Sequence, residues 1–293
     1  MKTEVHKASW WNAEAGKKVK CLLCPRRCVI ADGRLGFCGV RENQGGELFS
    51  LAYGYPVAVH VDPIEKKPLV EFLPGSWSLS LGTFGCNLEC SFCQNYHLSR
   101  GFYKEAPELE YLPPEQVVKL AKTKKCASIS FTYNEPTIWA EYALDIAKFA
   151  KKEGIATVMV SNGYITMEAA KDLYPFIDAA NIDMKGFSEE FYTTMTGGHL
   201  APILESMKYF HGIGKHLEIT NLVIPGKNDS TKMIADFLAW VEKELGKNIP
   251  LHFSAYHQDY KYNESPRTPS ETLLKIKKSA NLQGFGHVYL GNI

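Results

Sequence analysis

The sequence contains no apolar run approaching the ~18 residues that a membrane span requires. Its opening, "MKTEVHKASWWNAEAGKK", has no hydrophobic stretch of the signal-peptide kind. No membrane partner is expected, and the expected location is the cytoplasm. An excess of one charge sign is also missing. Against 33 Lys and Arg stand 32 Asp and Glu, a net charge of +1, so the balance indicates neither nucleic acid nor an anionic surface as a partner. Internal repeats and low-complexity segments are absent, and a 45% hydrophobic share is that of a globular chain. A length of 293 residues suits about two domains or one α/β barrel.

Cysteine is what the chain does have. In a reducing compartment, eight cysteines read as metal ligands before they read as disulfides. Seven fall into two groups, Cys21/Cys24/Cys28/Cys38 and Cys86/Cys90/Cys93. Cys126, heading the apolar "CASISFT", reads as a small core residue.

Residues 1–75 read as an N-terminal four-cysteine module. Its alternating segments "ELFSLAY" and "VAVHVD" are expected to form a small antiparallel sheet. The proline-rich "DPIEKKPLVEFLPGS" reads as a connection into residues 76–293. There, six apolar strands are expected: "LSLGT", "ASISFT", "IATVMV", "AANIDM", "HLEITNLVI" and "IPLHFSAYH". Helical patterns over 137–154, 166–174, 200–213 and 230–246 separate most of them. Repeated βα units imply a parallel sheet, and six units imply an α/β fold of the partial (β/α)6, TIM-like barrel type. Cys86, Glu135, Asn162, Lys185, Asn228 and His257 end or follow an expected strand. Parallel α/β folds place their chemistry at that edge.

The loop "GCNLECSFCQN" is one thiolate short of a closed tetrahedral site. A zinc knuckle needs a fourth ligand, and His97 is the residue at hand. Three thiolates on a four-iron cluster would instead leave one iron open, as a catalytic centre requires. The first group, with x2, x3 and x9 spacings, has a full set of four. It suits zinc, which four closely spaced thiolates surround readily, or an auxiliary iron–sulfur cluster; spacing favours zinc.

"CNLECSFC", with Phe92 directly before its third cysteine, resembles the CxxxCxxC signature of radical S-adenosylmethionine enzymes. The resemblance extends over essentially the whole expected barrel and is nearest to glycyl-radical-enzyme activases such as pyruvate formate-lyase activating enzyme. "CLLCPRRC…GFCGVREN", "HVDPIEKKP", "YNEP" and "HFSAYH…YKY" look more narrowly like the AmmeMemoRadiSam radical enzymes. The resemblance implies a [4Fe–4S] cluster on Cys86, Cys90 and Cys93 whose open iron chelates S-adenosylmethionine. It further implies reductive cleavage to a 5′-deoxyadenosyl radical, hydrogen-atom abstraction from a substrate, and a flavodoxin- or ferredoxin-like electron donor. A protein or peptide substrate follows from the activases, with a small molecule or nucleic acid as the alternative.

The cofactor residues implied here begin with Phe92 and with Asp183 and Lys185 of a D-x-K motif, which would meet the methionine ammonium and carboxylate. Glu135 stands at the acid of a Gly-Gly-Glu motif whose glycines are Tyr133 and Asn134 in this chain. Asn162 lies in "VSNG", where Val160 replaces an Asp that helps hold a monovalent cation in the activases. Val223 begins "VIPG", whose backbone would meet adenine, and His257 would reach ribose. Val160 and the Tyr133-Asn134 pair count against an activase role. His252 reads as a sheet histidine. Relatives of this kind commonly continue beyond "VYLGNI". The rival from another class is a non-catalytic zinc-binding interaction protein, with two zinc ions and no iron.

Overall fold

A computed structural model of the chain describes residues 6–103 and 109–293. Six short strands come first: β1 (His6–Lys7), β2 (Trp11–Glu14), β3 (Lys18–Cys21), β4 (Val29–Ile30), β5 (Arg41–Gln44) and β6 (Glu47–Ser50). They form two antiparallel sheets ordered β2-β3-β4 and β1-β6-β5.

The main sheet has eight strands in sequence order: β7 (Ala58–Pro63), β8 (Trp77–Gly82), β9 (Ser128–Phe131), β10 (Ala156–Ser161), β11 (Ala179–Asp183), β12 (His216–Val223), β13 (Leu251–Ala255) and β14 (Val288–Gly291). Strands β8 to β14 are parallel; β7 runs antiparallel to β8. Strictly sequential order is that of a barrel wall rather than a doubly wound sheet, and β14 does not pair with β7, so the wall is open.

All six expected strands form, as β8 to β13. "VAVHVD" does not join "ELFSLAY" in a small sheet: Val59 and Val61 pair with Leu81 and Leu79 of β8. An uncovered first strand would present a row of unpaired backbone groups, and β7 satisfies them. At the other edge β14 adds a strand too short to register as a pattern.

The helices are α1 (Tyr96–Ser99), α2 (Pro114–Thr123), α3 (Ala140–Lys152), α4 (Met167–Leu173), α5 (Glu189–Phe191), α6 (Leu200–Gly212), α7 (Thr231–Glu244) and α8 (Ser270–Leu282). The four expected from periodicity are α3, α4, α6 and α7. Thr166 and Ser230 cap α4 and α7 by accepting the Ala169 and Met233 N–H groups, and α2 starts on Pro114. Helix α8 escaped notice because Leu274 and Leu282 face water and blur its apolar stripe.

Along β8 and β9, Leu79, Leu81, Ile129 and Phe131 enter the main core, while the alternating Ser78, Ser80, Ser128 and Ser130 point to the other face, also fully buried. Small side chains there leave room on the inner side of the sheet. The segment 66–71, read from sequence as a connection, runs through that space. The Lys67 ammonium meets Asp62 at 2.6 Å, and Asn181 donates to the Pro68 carbonyl at 2.7 Å. Glu218 accepts the Val70 and Glu71 N–H groups, and Tyr289 donates to Glu71. The segment thus ties β7, β11, β12 and β14 together from within. His252 is the buried sheet residue expected, 2.6 Å from Glu218.

The N-terminal strands have no separate core. Ala8, Val19, Leu23, Val40 and Leu48 belong to the same apolar cluster as the main sheet and its helices. A buried ion pair, Arg41 to Glu141 at 2.8 Å, joins β5 to α3, and Glu141 also accepts the Ser9 N–H.

Candidate active site

A cleft of about 640 Å³ lies at the C-terminal edge of the parallel strands. Cys86, Cys90 and Cys93 line it, with Glu135, Asn162, Asp183 and Lys185. Four strand ends that are distant in sequence thus deliver to one space the residues singled out above.

The cysteine loop leaves β8 through Gly85, which has φ +90°; a Cβ there would stand 2.2 Å from the Cys38 carbonyl oxygen. Only glycine fits so close a backbone approach. The Leu88 N–H donates to Cys86 Sγ at 3.4 Å, Asn162 Nδ2 lies 3.7 Å from the same sulfur, and Ser99 Oγ is 3.2 Å from Cys93 Sγ. Burial pushes the Cys86 thiol well above the ordinary range, and pushes Cys90 up to about 12 despite the pull of Lys185.

Among the described residues, no group of three or more His, Cys, Asp or Glu side chains is arranged to hold a metal ion. Neither a fourth cysteine nor a histidine lines the cleft. His97 is exposed and packs on Tyr96 at 3.9 Å, so it does not complete a zinc knuckle. Gln94 Nε2 and Thr220 Oγ1, on residues lining the cleft, are buried without partners, as a wall built for a polar ligand would leave them.

Asp183 and Lys185, two apart across the end of β11, meet at 2.8 Å. Burial alone would lower the lysine, but Asp183 and Cys90 outweigh it and hold Lys185 above the usual range. Asn228 braces this end of the strand, donating to the carbonyls of Lys185 at 2.6 Å and Leu222 at 2.7 Å. Tyr192 accepts the Lys185 N–H at 3.0 Å.

Glu135 is buried and joins two strand ends. It accepts from the Thr137 N–H, the Ser161 hydroxyl and the Asn162 N–H, each at 2.8 Å. Burial raises its carboxyl above the ordinary value, and the Asn162 and Thr137 donors offset part of that rise. Asn162 in turn donates to Asn87 Oδ1 at 2.9 Å, beside Cys86.

The replacement of two glycines by Tyr133 and Asn134 is accommodated. Tyr133 adopts φ +71°, the left-handed conformation that a glycine enters freely. Its hydroxyl donates to Asp62 at 2.5 Å and its ring lies 4.5 Å from the Lys67 ammonium. Asn134 takes the Thr83 N–H on its Oδ1 and donates to the Phe84 and Gly85 carbonyls, pinning the path into the cysteine loop. Lys66 and Lys67 also line the cleft. Their signal in the sequence was "HVDPIEKKP", noted there without a role.

Phe92 and Val160 line the cleft as well. Two expected cofactor residues do not: Val223 is buried in the main core, and His257 is exposed with its ring 3.3 Å from the Gln258 carbonyl. Cys126 is a buried core residue.

The sequence profile of the radical SAM superfamily matches residues 81–238. A protein of Methanocaldococcus jannaschii, the uncharacterized protein MJ0808, is 41% identical over 276 residues, 94% of this chain and 82% of that one. Pyruvate formate-lyase 1-activating enzyme of Escherichia coli K12 is a distant homologue, 25% identical over 219 residues, 69% of this chain and 87% of its own. Among solved structures, Streptococcus suis SuiB bound to precursor peptide SuiA superposes with a TM-score of 0.55 at 14% identity. The match covers 72% of this chain and 47% of SuiB, so it speaks for the fold alone.

Proposed function

Since this chain belongs to the radical SAM superfamily, we propose that it reductively cleaves S-adenosylmethionine and uses the product to take a hydrogen atom from a protein or peptide. The observation that carries this is the three-thiol loop with no fourth cysteine or histidine in its cleft, facing the Asp183–Lys185 pair. When bound at Cys86, Cys90 and Cys93, a [4Fe–4S] cluster with S-adenosylmethionine supplies one-electron cleavage of the sulfonium C–S bond and the 5′-deoxyadenosyl radical.

The chain's residues then orient and exclude. Lys185 meets the methionine carboxylate and Asp183 the ammonium, in a half-buried setting where such contacts strengthen. Glu135 holds the Ser161-Asn162 turn in place and keeps lone-pair capacity for the same ammonium. Asn162 and the Leu88 N–H hold Cys86, and Phe92 covers the loop against Phe191. Val223 and His257, which lie outside the cleft, are given no part in holding the cofactor.

The distant homology to activating enzymes supports a protein substrate, as does an open cleft with Lys66 and Lys67 on its wall. Val160 on the same wall, apolar where the activases carry Asp, favours a second reading: a small molecule or nucleic acid. "HVDPIEKKP" and "YNEP", whose residues meet at Asp62, Lys67 and Tyr133, support assignment to the AmmeMemoRadiSam radical enzymes. A flavodoxin- or ferredoxin-like donor supplies the electron.

The test is anaerobic reconstitution with iron and sulfide, followed by electron paramagnetic resonance with and without S-adenosylmethionine. The expected results are a reduced-cluster signal perturbed by the cofactor and 5′-deoxyadenosine formation with a strong reductant, lost in Cys90→Ala. Zinc without iron after reconstitution would refute the proposal.

A further inference from the structure

The residues that hold the cofactor in the proposed function line only part of the cleft. The rest of its wall comes from segment 66–68 and from β12, β13 and the chain just past β14, through Lys66, Lys67, Thr220, Ser254 and Asn292. This wall is polar throughout. It adjoins the cofactor residues directly, because Thr220 stands beside Asp183 in the register of β11 and β12.

The two lysines sit on a turn that the fold fixes in place. Ile64–Lys66 form one turn of 3-10 helix, closed by the Lys67 N–H on the Ile64 carbonyl at 2.9 Å, and the Ile64 side chain is buried. The Lys67 side chain, 2% exposed, meets one Asp62 oxygen at 2.6 Å, and the Tyr133 hydroxyl donates to the same oxygen. As a unit, that ion pair is neutral. Lys66 reaches the other Asp62 oxygen at 2.9 Å, with a side chain 64% exposed. One carboxylate thus faces two ammonium groups, and the ammonium on the open side is in surplus. The acids within the cleft are engaged elsewhere, Asp183 by Lys185 and Glu135 by Thr137, Ser161 and Asn162.

A surplus lysine alone is ordinary surface, but here a second observation points to a ligand. Thr220 is 8% exposed and lines the cleft, and its Oγ1 has no hydrogen-bond partner. A buried hydroxyl in that state costs free energy until a polar group completes it. The charge pattern then selects the group. One surplus ammonium beside neutral hydroxyl and amide side chains matches a monoanion. Phosphate is ordinarily met by arginine forks or several cations, and among the described residues no arginine lines the cleft.

We propose that Lys66 binds a carboxylate of the substrate and that the Thr220 hydroxyl bonds the same bound segment, so that the peptide taken into the cleft is an acidic one. The inference rests on a protein or peptide being what the cleft acts on, and it names the chemical class of that peptide. Lys66 exchanges its exposed contact with Asp62 for one with the incoming carboxylate, while Lys67 and Tyr133 keep Asp62 paired. No covalent bond changes. The carboxylate belongs to an Asp or Glu side chain or to a chain terminus, two sources with one chemistry.

The test is anaerobic equilibrium dialysis of blocked tripeptides against the reconstituted full chain with S-adenosylmethionine present. The probes are acetyl-Gly-Glu-Gly-amide, its glutamine and phosphoserine analogues, and acetyl-Gly-Gly-Gly with a free terminal carboxylate. The better carboxylate probe should bind about tenfold tighter than the glutamine probe, and which one it is tells side chain from terminus. Lys66→Met should erase that preference and Lys66→Arg should keep it, both with wild-type iron content and cofactor binding. Thr220→Val should weaken the carboxylate probe about threefold and leave cofactor binding unchanged. The proposal is overturned by equal or absent binding of the acid and glutamine probes, by a preference that survives in Lys66→Met, or by a phosphoserine probe that outbinds both carboxylates. Loss of cofactor binding in Thr220→Val, with the probe unaffected, would give that hydroxyl to the cofactor instead. Failure of the two proposals is separable, because the readout is binding: a carboxylate preference without 5′-deoxyadenosine formation overturns the proposed function, and the reverse overturns the acidic peptide.

Discussion

The two cysteine loops touch at Gly85, yet they differ in ligand number and in access. The Cys86/Cys90/Cys93 loop faces a wide cleft with charged strand ends opposite; the Cys21/Cys24/Cys28/Cys38 loop closes on a hollow between the N-terminal strands and the main core. The three-cysteine loop is one ligand short of a closed set and has room beside it for something else to bind, whereas the four-cysteine loop has the full set around a small hollow. Backbone N–H contacts to sulfur occur in both loops, so that local motif does not distinguish them.

This contrast is open to attack at three points. The largest effect is expected at Arg41, which serves the closed loop and carries the buried bond to Glu141. Arg41→Met should cost ~3–5 kcal/mol in chemical denaturation, because Glu141 is left charged in the core. Adding Glu141→Leu should recover most of that loss. A double variant no more stable than Arg41→Met would show that the loss does not come from the unpaired Glu141.

Next comes Lys185, on the open side. Lys185→Met should weaken S-adenosylmethionine binding about 30-fold, from loss of ~2 kcal/mol at a half-buried charged contact. Equilibrium binding to the reconstituted chain measures this, and iron content should not change. Binding within twofold of wild type would remove Lys185 from the cofactor site.

The smallest effect lies at the far end of the sheet, away from both loops. His216 and His252 hold the Glu218 carboxyl down at about 2 although burial works to raise it. Its stabilising contribution is present above the ordinary value of 4.5 and is lost as pH falls toward 2. Glu218→Gln should therefore be less stable than wild type at neutral pH and show a flatter decline across that acid window, read by thermal melts at stepped pH. A slope equal to that of wild type would place the acid sensitivity elsewhere.

Much of the fold was legible because period and punctuation agreed: β8 to β13 and α3, α4, α6 and α7 each carry a clear apolar pattern and a recognisable start or stop. The site was legible where chemistry imposes spacing, as at Cys86, Cys90 and Cys93 and at Asp183 and Lys185. Legibility failed where a residue's role depends on a distant neighbour. Nothing local to "EKKPLVE" says that its backbone will bond Asn181 and Glu218 inside the sheet. Nothing local to Tyr133 says that a left-handed backbone will be tolerated, with Asp62 holding its hydroxyl.

By itself, then, the order of residues determined the alternation of strands and helices and the three-cysteine loop, because hydrophobic period and ligand spacing are properties of neighbours along the chain. Only the tertiary structure decided that the two cysteine loops lie side by side, and that Val223 and His257 lie outside the cleft while Lys66 and Lys67 line it. Such distances depend on how strand ends are brought together by packing, and packing is a property of the whole core.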